Sequence, residues 1–292
     1  MISAPLRRAL ETRLGPVRGA APVSGGCINH GMRVELAAGP VFVKHNADAP
    51  PGMFAAEARG LDALRAAADG LVVPRPIAWA EAEEGAPAWI ALEWLEPSRR
   101  TPDFAERLGR GLAALHRAGH ADGWGWMEDN FMAGLPQANG VAACWAEFWR
   151  ARRLEPQLEL ARRGGRMPGR AAEWDRLMDR LPELLAPAEA DGPSLLHGDL
   201  WGGNVLASPD GPALIDPAVY RGHREADLAM TELFGGFGDG FRAAYREAWP
   251  LQPGYPVRRA VYQLWYLLIH VNLFGGGYGA QAAAVLRQAL AG

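Results

Sequence analysis

Near the amino terminus, apolar residues fall at Leu6, Leu10 and Leu14, four apart behind Ser3 and Pro5. That is the spacing and start signal of a capped amphipathic helix, and Glu11 within it argues against a transit peptide. From Val17 to Lys44 the pattern changes to short apolar runs divided by Gly and Pro, with Val34, Leu36, Val41 and Val43 at the alternation of strands. Helical spacing returns from Met53 to Ala68 through Phe54, Ala58, Leu61 and Leu64, is ended by Val72-Val73-Pro74, and gives way to a strand at Trp89 to Trp94.

Beyond Pro97 long helical patterns dominate: Phe104 to Arg117, Ala142 to Arg163, Glu173 to Leu185, Gly240 to Trp249 and Arg258 to Phe274. One interruption, Leu195 to Asp216, reads as two short strands flanked by loops. The expectation is an α+β chain of two lobes: a β-rich amino-terminal lobe with one main helix over residues 1–96, a connector near Glu93 to Ser98, and a mostly helical lobe over 97–292.

The chain has 292 residues, 49% hydrophobic and 22% charged, which is globular composition with enough material for a large core. Its most apolar stretch, Val261 to Phe274, is broken by Gln263, His270 and Asn272 and is shorter than the roughly 20 residues that span a bilayer, so no membrane partner is expected. A net charge of −3 gives no electrostatic reason to expect nucleic acid. The one local excess of arginine, Arg150 to Arg170, reads as a solvated face with a Gly-rich break. Two cysteines, Cys27 and Cys144, are too few for a disulfide scaffold and point to a reducing cytoplasm, with Cys144 expected in the core.

The candidate chemistry lies in His197-Gly198-Asp199-Leu200-Trp201-Gly202-Gly203-Asn204 and the following Leu214-Ile215-Asp216. Pro209-Asp210-Gly211 is a turn signal between apolar runs. A hairpin centred on Asp210 would bring Asn204 and Asp216 face to face at its open end. An amide oxygen and a carboxylate are hard ligands suited to Mg²⁺ shared with phosphates, and Asp199, on a loop beside them, could take the proton of an attacking hydroxyl. His197, next to a tight Gly turn, is expected to satisfy backbone groups.

The amino-terminal lobe offers a place for a nucleotide. Ser24-Gly25-Gly26-Cys27-Ile28-Asn29-His30-Gly31 lies between strand-like segments, where its glycines would let backbone N–H groups approach phosphates. Lys44 shares a strand face with Phe42 and can leave the sheet toward a phosphate. Glu57, on the next helix, is placed to pair with Lys44 in a partly exposed ion pair worth about 0–1 kcal/mol.

Gly25 to Gly31, Val41 to Lys44, Glu57, Leu92-Glu93-Trp94-Leu95 and HGDLWGGN with IDPA resemble the protein-kinase-like fold in its small-molecule branch. The tryptophan after HGDL, Asp216 to Phe237, Asp129-Asn130-Phe131, Pro136 to Asn139 and Trp145 to Leu154 narrow the resemblance to the fructosamine kinase (ketosamine-3-kinase) family. That resemblance implies ATP and Mg²⁺ as partners, Asp199 as catalytic base, Asn204 and Asp216 as metal ligands, Lys44 with Glu57 on the α/β-phosphates, and Gly25, Gly26 and Cys27 in the phosphate loop. It places backbone groups of the Glu93-Trp94-Leu95 connector at adenine, and makes His197 and Asp227 structural. The implied acceptor is the 3-hydroxyl of a fructosamine or ribulosamine, free or on protein, and phosphorylation promotes loss of the sugar from the amine. It further implies that Cys27 could act as a redox switch linking two chains, and leaves both a monomer and a redox-dependent homodimer open.

Rival readings are an aminoglycoside or choline-type phosphotransferase with the same catalytic parts, a metal-dependent hydrolase built on His197, Asp199 and Asp216, and a non-catalytic nucleotide-binding scaffold. The hydrolase leaves the Gly-rich loop, Lys44 and Glu57 without a task. The scaffold predicts a missing chemical group, and all are present. Trp201 fits either core or a sugar contact, and the acceptor site is sought in Asp122 to Asn139 and Trp145 to Arg153.

Overall fold

The computed structural model describes residues 2–23, 29–83 and 85–292. Helix α1 (Ala4–Leu14) is capped by Ser3, whose Oγ accepts the Leu6 N–H at 3.4 Å, and it turns Leu6 and Leu10 onto the outer face of a five-stranded antiparallel sheet. Strands β1 (Gly19–Val23), β2 (His30–Leu36) and β3 (Gly39–Asn46), with β4 (Pro76–Ala80) and β5 (Ala88–Glu93), run in the order β1-β2-β3-β5-β4. Alternation sorts their side chains: Val34, Val41, Val43 and Ala91 join the α1 layer, while Phe42, Ile90 and Leu92 face the other way. The amino-terminal region carries the two helices that the apolar spacing predicts, the capped α1 and the main helix α2 (Met53–Ala67).

Helix α2 belongs to the large core rather than to the sheet alone. Phe54, Ala58, Leu61 and Leu64 pack in one cluster with Leu112, Val219 and Leu214 of the helical region, and a Cβ on Gly60 would lie 3.0 Å from Val219 Cγ2. Glycine at that position lets the helix sit that close.

After the connector come α3 (Phe104–Ala118), the hairpin β6 (Asn130–Met132) and β7 (Leu135–Gln137), and then one helical run where Ala142 to Arg163 was expected. That run begins later, as α4 (Trp145–Phe148), passes through a π-helical turn (Trp149–Leu154) and continues as α5 (Glu155–Arg163). Residues 142–144 lie outside it, and Cys144 is exposed rather than buried in the core. Helix α6 (Ala171–Asp191) precedes β8 (Ser194–Leu196), β9 (Val205–Ser208), β10 (Gly211–Leu214) and β11 (Tyr220–Gly222). Where two strands were expected between Leu195 and Asp216 there are three, β8, β9 and β10; β9 pairs β10, and β8 pairs β11, which lies beyond that stretch.

Helices α7 (Glu225–Leu233), α8 (Asp239–Ala248), α9 (Tyr255–Phe274) and α10 (Tyr278–Ala291) complete the chain. The apolar α9 stretch is a core helix, and among the described residues no helix is long and apolar enough to cross a membrane.

The expectation of a uniformly solvated arginine segment fails at Arg153, which is fully buried. The π-turn, with its wider backbone step, carries Arg153 in the core, where its guanidinium stacks 4.0 Å from the Tyr220 ring centroid. It donates to the Ala138 carbonyl at 2.6 Å and to Asn139 Oδ1 at 2.7 Å. Asn130 and Gln137 continue the network to the carbonyls of Val219 and Ala218. Polar residues that looked like acceptor-site candidates are thus buried bolts between the β6–β7 hairpin and β11, and Trp145 and Trp149 are fully buried beside them.

Candidate active site

Where the sheet meets the helical region, Lys44 leaves β3 into the interior, with its side chain 5% exposed. Its ammonium donates to Glu57 Oε1 of α2 at 2.7 Å and also contacts Asp216. This is a buried pair, and the partly exposed one expected from sequence has to be corrected: α2's seat in the core leaves Glu57 only 9% exposed. Burial alone would push the lysine down, but the carboxylates of Asp216 and Glu57 outweigh it and hold Lys44 charged, with its pKa raised. The Glu57 carboxyl is lifted by burial, against the pull of Lys44.

Asp199, Asn204 and Asp216 converge on the same crevice. A 3₁₀ turn (Gly202–Asn204) ends the loop after β8, and Asn204 Nδ2 donates to Asp199 O at 2.8 Å and to Asp199 Oδ2 at 3.2 Å. With its nitrogen committed, the oxygen Asn204 can offer outward is Oδ1. The hairpin register differs from expectation by one residue: β9 and β10 pair Leu206 with Ala213 and Val205 with Leu214, so Asn204 lies opposite Ile215, whose N–H it receives at 3.1 Å. Asp216 is one step beyond, in the left-handed region at φ 54°. The slip arises because the turn residues are Pro209 and Asp210, which puts the centre between them rather than on Asp210.

Asp199 is half-buried, and burial together with the charge of Asp216 pushes its carboxyl up to about 7, against the hydrogen bond from Asn204. The loop that presents it is held from behind. Asp227 of α7 accepts the backbone N–H groups of His197 at 2.8 Å and Gly198 at 2.9 Å, and it also meets His116 Nε2 at 3.2 Å. His197 Nδ1 accepts the Asp199 N–H at 3.3 Å while Nε2 donates to the Ile215 carbonyl at 2.8 Å, so the ring spends both nitrogens on backbone, and burial keeps its pKa low. Gly198 adopts φ 82°, and a Cβ there would fall 2.0 Å from the Ala218 carbonyl oxygen. Sequence reasoning did not single out His116 or Tyr266. Tyr266 of α9 donates to the Gly198 carbonyl at 3.1 Å, a contact across 68 residues that local pattern cannot reveal.

The connector leaves the sheet at Glu93. Its backbone N–H already donates to the Arg75 carbonyl at 2.9 Å, so of its two backbone groups the carbonyl is the one left for a base. Trp94 lies under the Arg33 guanidinium at 5.0 Å with its indole N–H on Glu96 at 2.8 Å, and Leu95 is half-buried. Gly25, Gly26 and Cys27, and with them the proposed phosphate loop and redox switch, lie outside the described residues. Trp201 is 38% exposed and so is not core.

The donor set fits a divalent cation shared with phosphates. Asn204 and Asp216 supply two hard oxygen ligands, and among the described residues no group of three or more His, Cys, Asp or Glu could hold a metal alone.

By fold, the chain matches an aminoglycoside phosphotransferase at TM-score 0.62 and 15% identity, over 98% of this chain and 99% of that one, which establishes a protein-kinase-like architecture and nothing finer. The crystal structure of a protein assigned as a fructosamine-3-kinase in Thermobifida fusca superposes at TM-score 0.87, with 39% identity over 98% of this chain and 99% of that one. A probable ketoamine kinase of Synechocystis sp. is 43% identical over 92% of this chain and 89% of its own. The ketosamine-3-kinase of Mus musculus is 33% identical over 95% and 97%. The fructosamine kinase family model matches residues 3–292. With that match running nearly end to end, and with relatives similar over almost their whole length, the chain belongs to the fructosamine kinase family.

Proposed function

We propose that the protein transfers the γ-phosphate of ATP to the 3-hydroxyl of a ketosamine, with residues 1–96 gripping the nucleotide and 97–292 presenting the catalytic loop and acceptor. The observation that carries this reading is the convergence of Lys44, Glu57, Asp199, Asn204 and Asp216 in one crevice, in a chain of this family.

In the proposed mechanism, Lys44 exchanges its contact with Asp216 for α/β-phosphate oxygens while Glu57 keeps the ammonium oriented. Asn204 Oδ1 and the Asp216 carboxylate would hold Mg²⁺, which when bound neutralises phosphate charge during transfer. Asp199 accepts the proton of the 3-hydroxyl as that oxygen bonds to the γ-phosphorus. The bond from phosphorus to the β–γ bridging oxygen breaks, and ADP leaves. Burial lifts the Asp199 carboxyl above the ordinary aspartate range, which makes it a stronger base for this step. The backbone of Glu93 and Leu95 faces the adenine, and Gly25, Gly26 and Cys27 are the proposed phosphate loop.

The test is ADP release from ATP and Mg²⁺ with a panel of fructosamines, ribulosamines and aminoglycosides, the product being located by phosphorus NMR. Ketosamine-dependent ADP with phosphate on O3 is the expected result. Transfer to aminoglycosides alone would overturn the acceptor assignment.

A further inference from the structure

Four aromatic side chains that the proposed transfer step does not use gather beside the catalytic loop. His270 of α9 lies with its ring centroid 4.7 Å from Phe234, 4.9 Å from Tyr278 and 5.6 Å from Phe274. Phe234 is 37% exposed and Phe274 54%, so the cluster turns large apolar surface outward.

Two contacts tie this patch to the loop. Tyr266, one turn before His270 on α9, donates its hydroxyl to the Gly198 carbonyl at 3.1 Å. The segment after Phe234 closes on the loop from the other side, where a Cβ on Gly236 would lie 3.1 Å from Gly202 Cα. Trp201, next to Gly202 on that loop, is half-exposed with its ring over Gly203.

The chemistry of the patch is specific. His270 Nδ1 donates to the Tyr266 carbonyl at 2.8 Å, which fixes the tautomer and leaves the Nε2 lone pair as an acceptor. Burial keeps this ring's pKa low, so it carries no positive charge to repel a cation. A neutral acceptor among three aromatic faces suits a protonated amine bearing an apolar arm: ring quadrupoles attract the cation and the arm packs on the rings. A ketosamine carries such a group, since its amine is on C1, two carbon–carbon bonds from the carbon whose hydroxyl would react at Asp199.

Resting on the ketosamine reading above, we propose that Phe234, His270, Phe274 and Tyr278 form the subsite for the amine side of the acceptor, holding the secondary ammonium and its alkyl arm, and so set which glycated amines are used.

The probe is a series of N-alkyl fructosamines from methyl to hexyl, assayed with ATP and Mg²⁺ on the full chain. In the wild type, KM falls as the arm lengthens. In Phe274→Ala, a change at an exposed ring, the dependence on arm length flattens. In His270→Ala, KM for the whole series rises about tenfold with kcat within about twofold and ATP KM unmoved, the size of one desolvated cation contact. His270→Gln, which keeps an acceptor, restores part of the loss, a result that a merely structural histidine would not give. Arm-length profiles that superimpose in wild type and Phe274→Ala overturn the subsite while leaving the kinase assignment intact. No transfer to any fructosamine or ribulosamine by the wild type overturns the kinase assignment, and the subsite with it.

Discussion

At Asp199 the needs of folding and of chemistry pull in opposite directions. Its carboxyl is raised from the ordinary 3.8 to about 7, so between those values the folded chain holds a proton that the unfolded chain has released. Stability therefore falls as pH rises through that window, and the whole cost is present above it. In metal-free buffer at about pH 8, Asp199→Asn is expected to raise the melting temperature by roughly 2–4 °C, about 1 kcal/mol for a chain of this size, and to make no difference below about pH 4. The same substitution should lower ketosamine phosphorylation by roughly 10²–10⁴-fold while nucleotide titrations stay close to wild type. Lys44 behaves differently because its partners are already in place. Lys44→Met leaves Glu57 and Asp216 facing each other without a cation, and we expect a loss of about 3 kcal/mol in urea unfolding together with weaker ATP binding. The residue types and spacing at 44, 57, 199, 204 and 216 were legible in the sequence because a motif fixes them locally. Burial was not, since it depends on how α2 packs against residues more than a hundred positions away. The register at Asn204 was missed by one residue for a similar reason, as a two-residue turn and a turn centred on one residue share the same sequence signals.

Among the elements, the legible ones were those with contrast between apolar and polar positions, such as α3 and α8. Helix α7 escaped notice because Glu225, Asp227 and Thr231 are buried with its apolar residues, so its polar positions mark no outer face. Helix α10 escaped because alanines at buried and exposed positions alike blur the period. Strands β6, β7, β8 and β11 have three residues each, too few to show alternation. The π-turn has the largest energetic consequence of these unread features. Arg153→Leu removes donors to Ala138 and Asn139 and leaves those acceptors buried and unpaired. A loss of about 2–4 kcal/mol is expected by urea unfolding, with turnover per folded molecule retained because the change is made away from the crevice.

Over the whole molecule, the largest core cluster runs from α2 through α3, α6 and α9, so the two lobes expected from the apolar pattern share much of their interior. A buried charge network closes the helical region. Asp191, at the end of α6, accepts from His223 at 3.2 Å, Arg224 at 2.9 Å and Gln252 at 3.1 Å. Burial opposes its ionisation, but these donors and the Arg224 charge outweigh it and push the carboxyl down to about 2. A lowered value contributes stability that is fully present above about pH 4 and is lost as pH falls through about 2. Asp191→Asn should thus be the less stable protein at neutral pH, and its difference from wild type should shrink across that acid window when unfolding is followed by circular dichroism. Sequence reasoning had no access to this network, whose members come from three separated segments.

The close approach of Gly60 to Val219 has a regulatory consequence. Glu57 lies one helical turn before that contact, so α2 cannot rotate outward to part Glu57 from Lys44 without first opening the shared interior. The contact with Val219 and the shared cluster tie that helix to the interior of the helical region. In the mechanism proposed above, the Lys44–Glu57 pair therefore stays assembled, and the arrival of the two co-substrates, rather than any toggling of the scaffold, determines when transfer takes place.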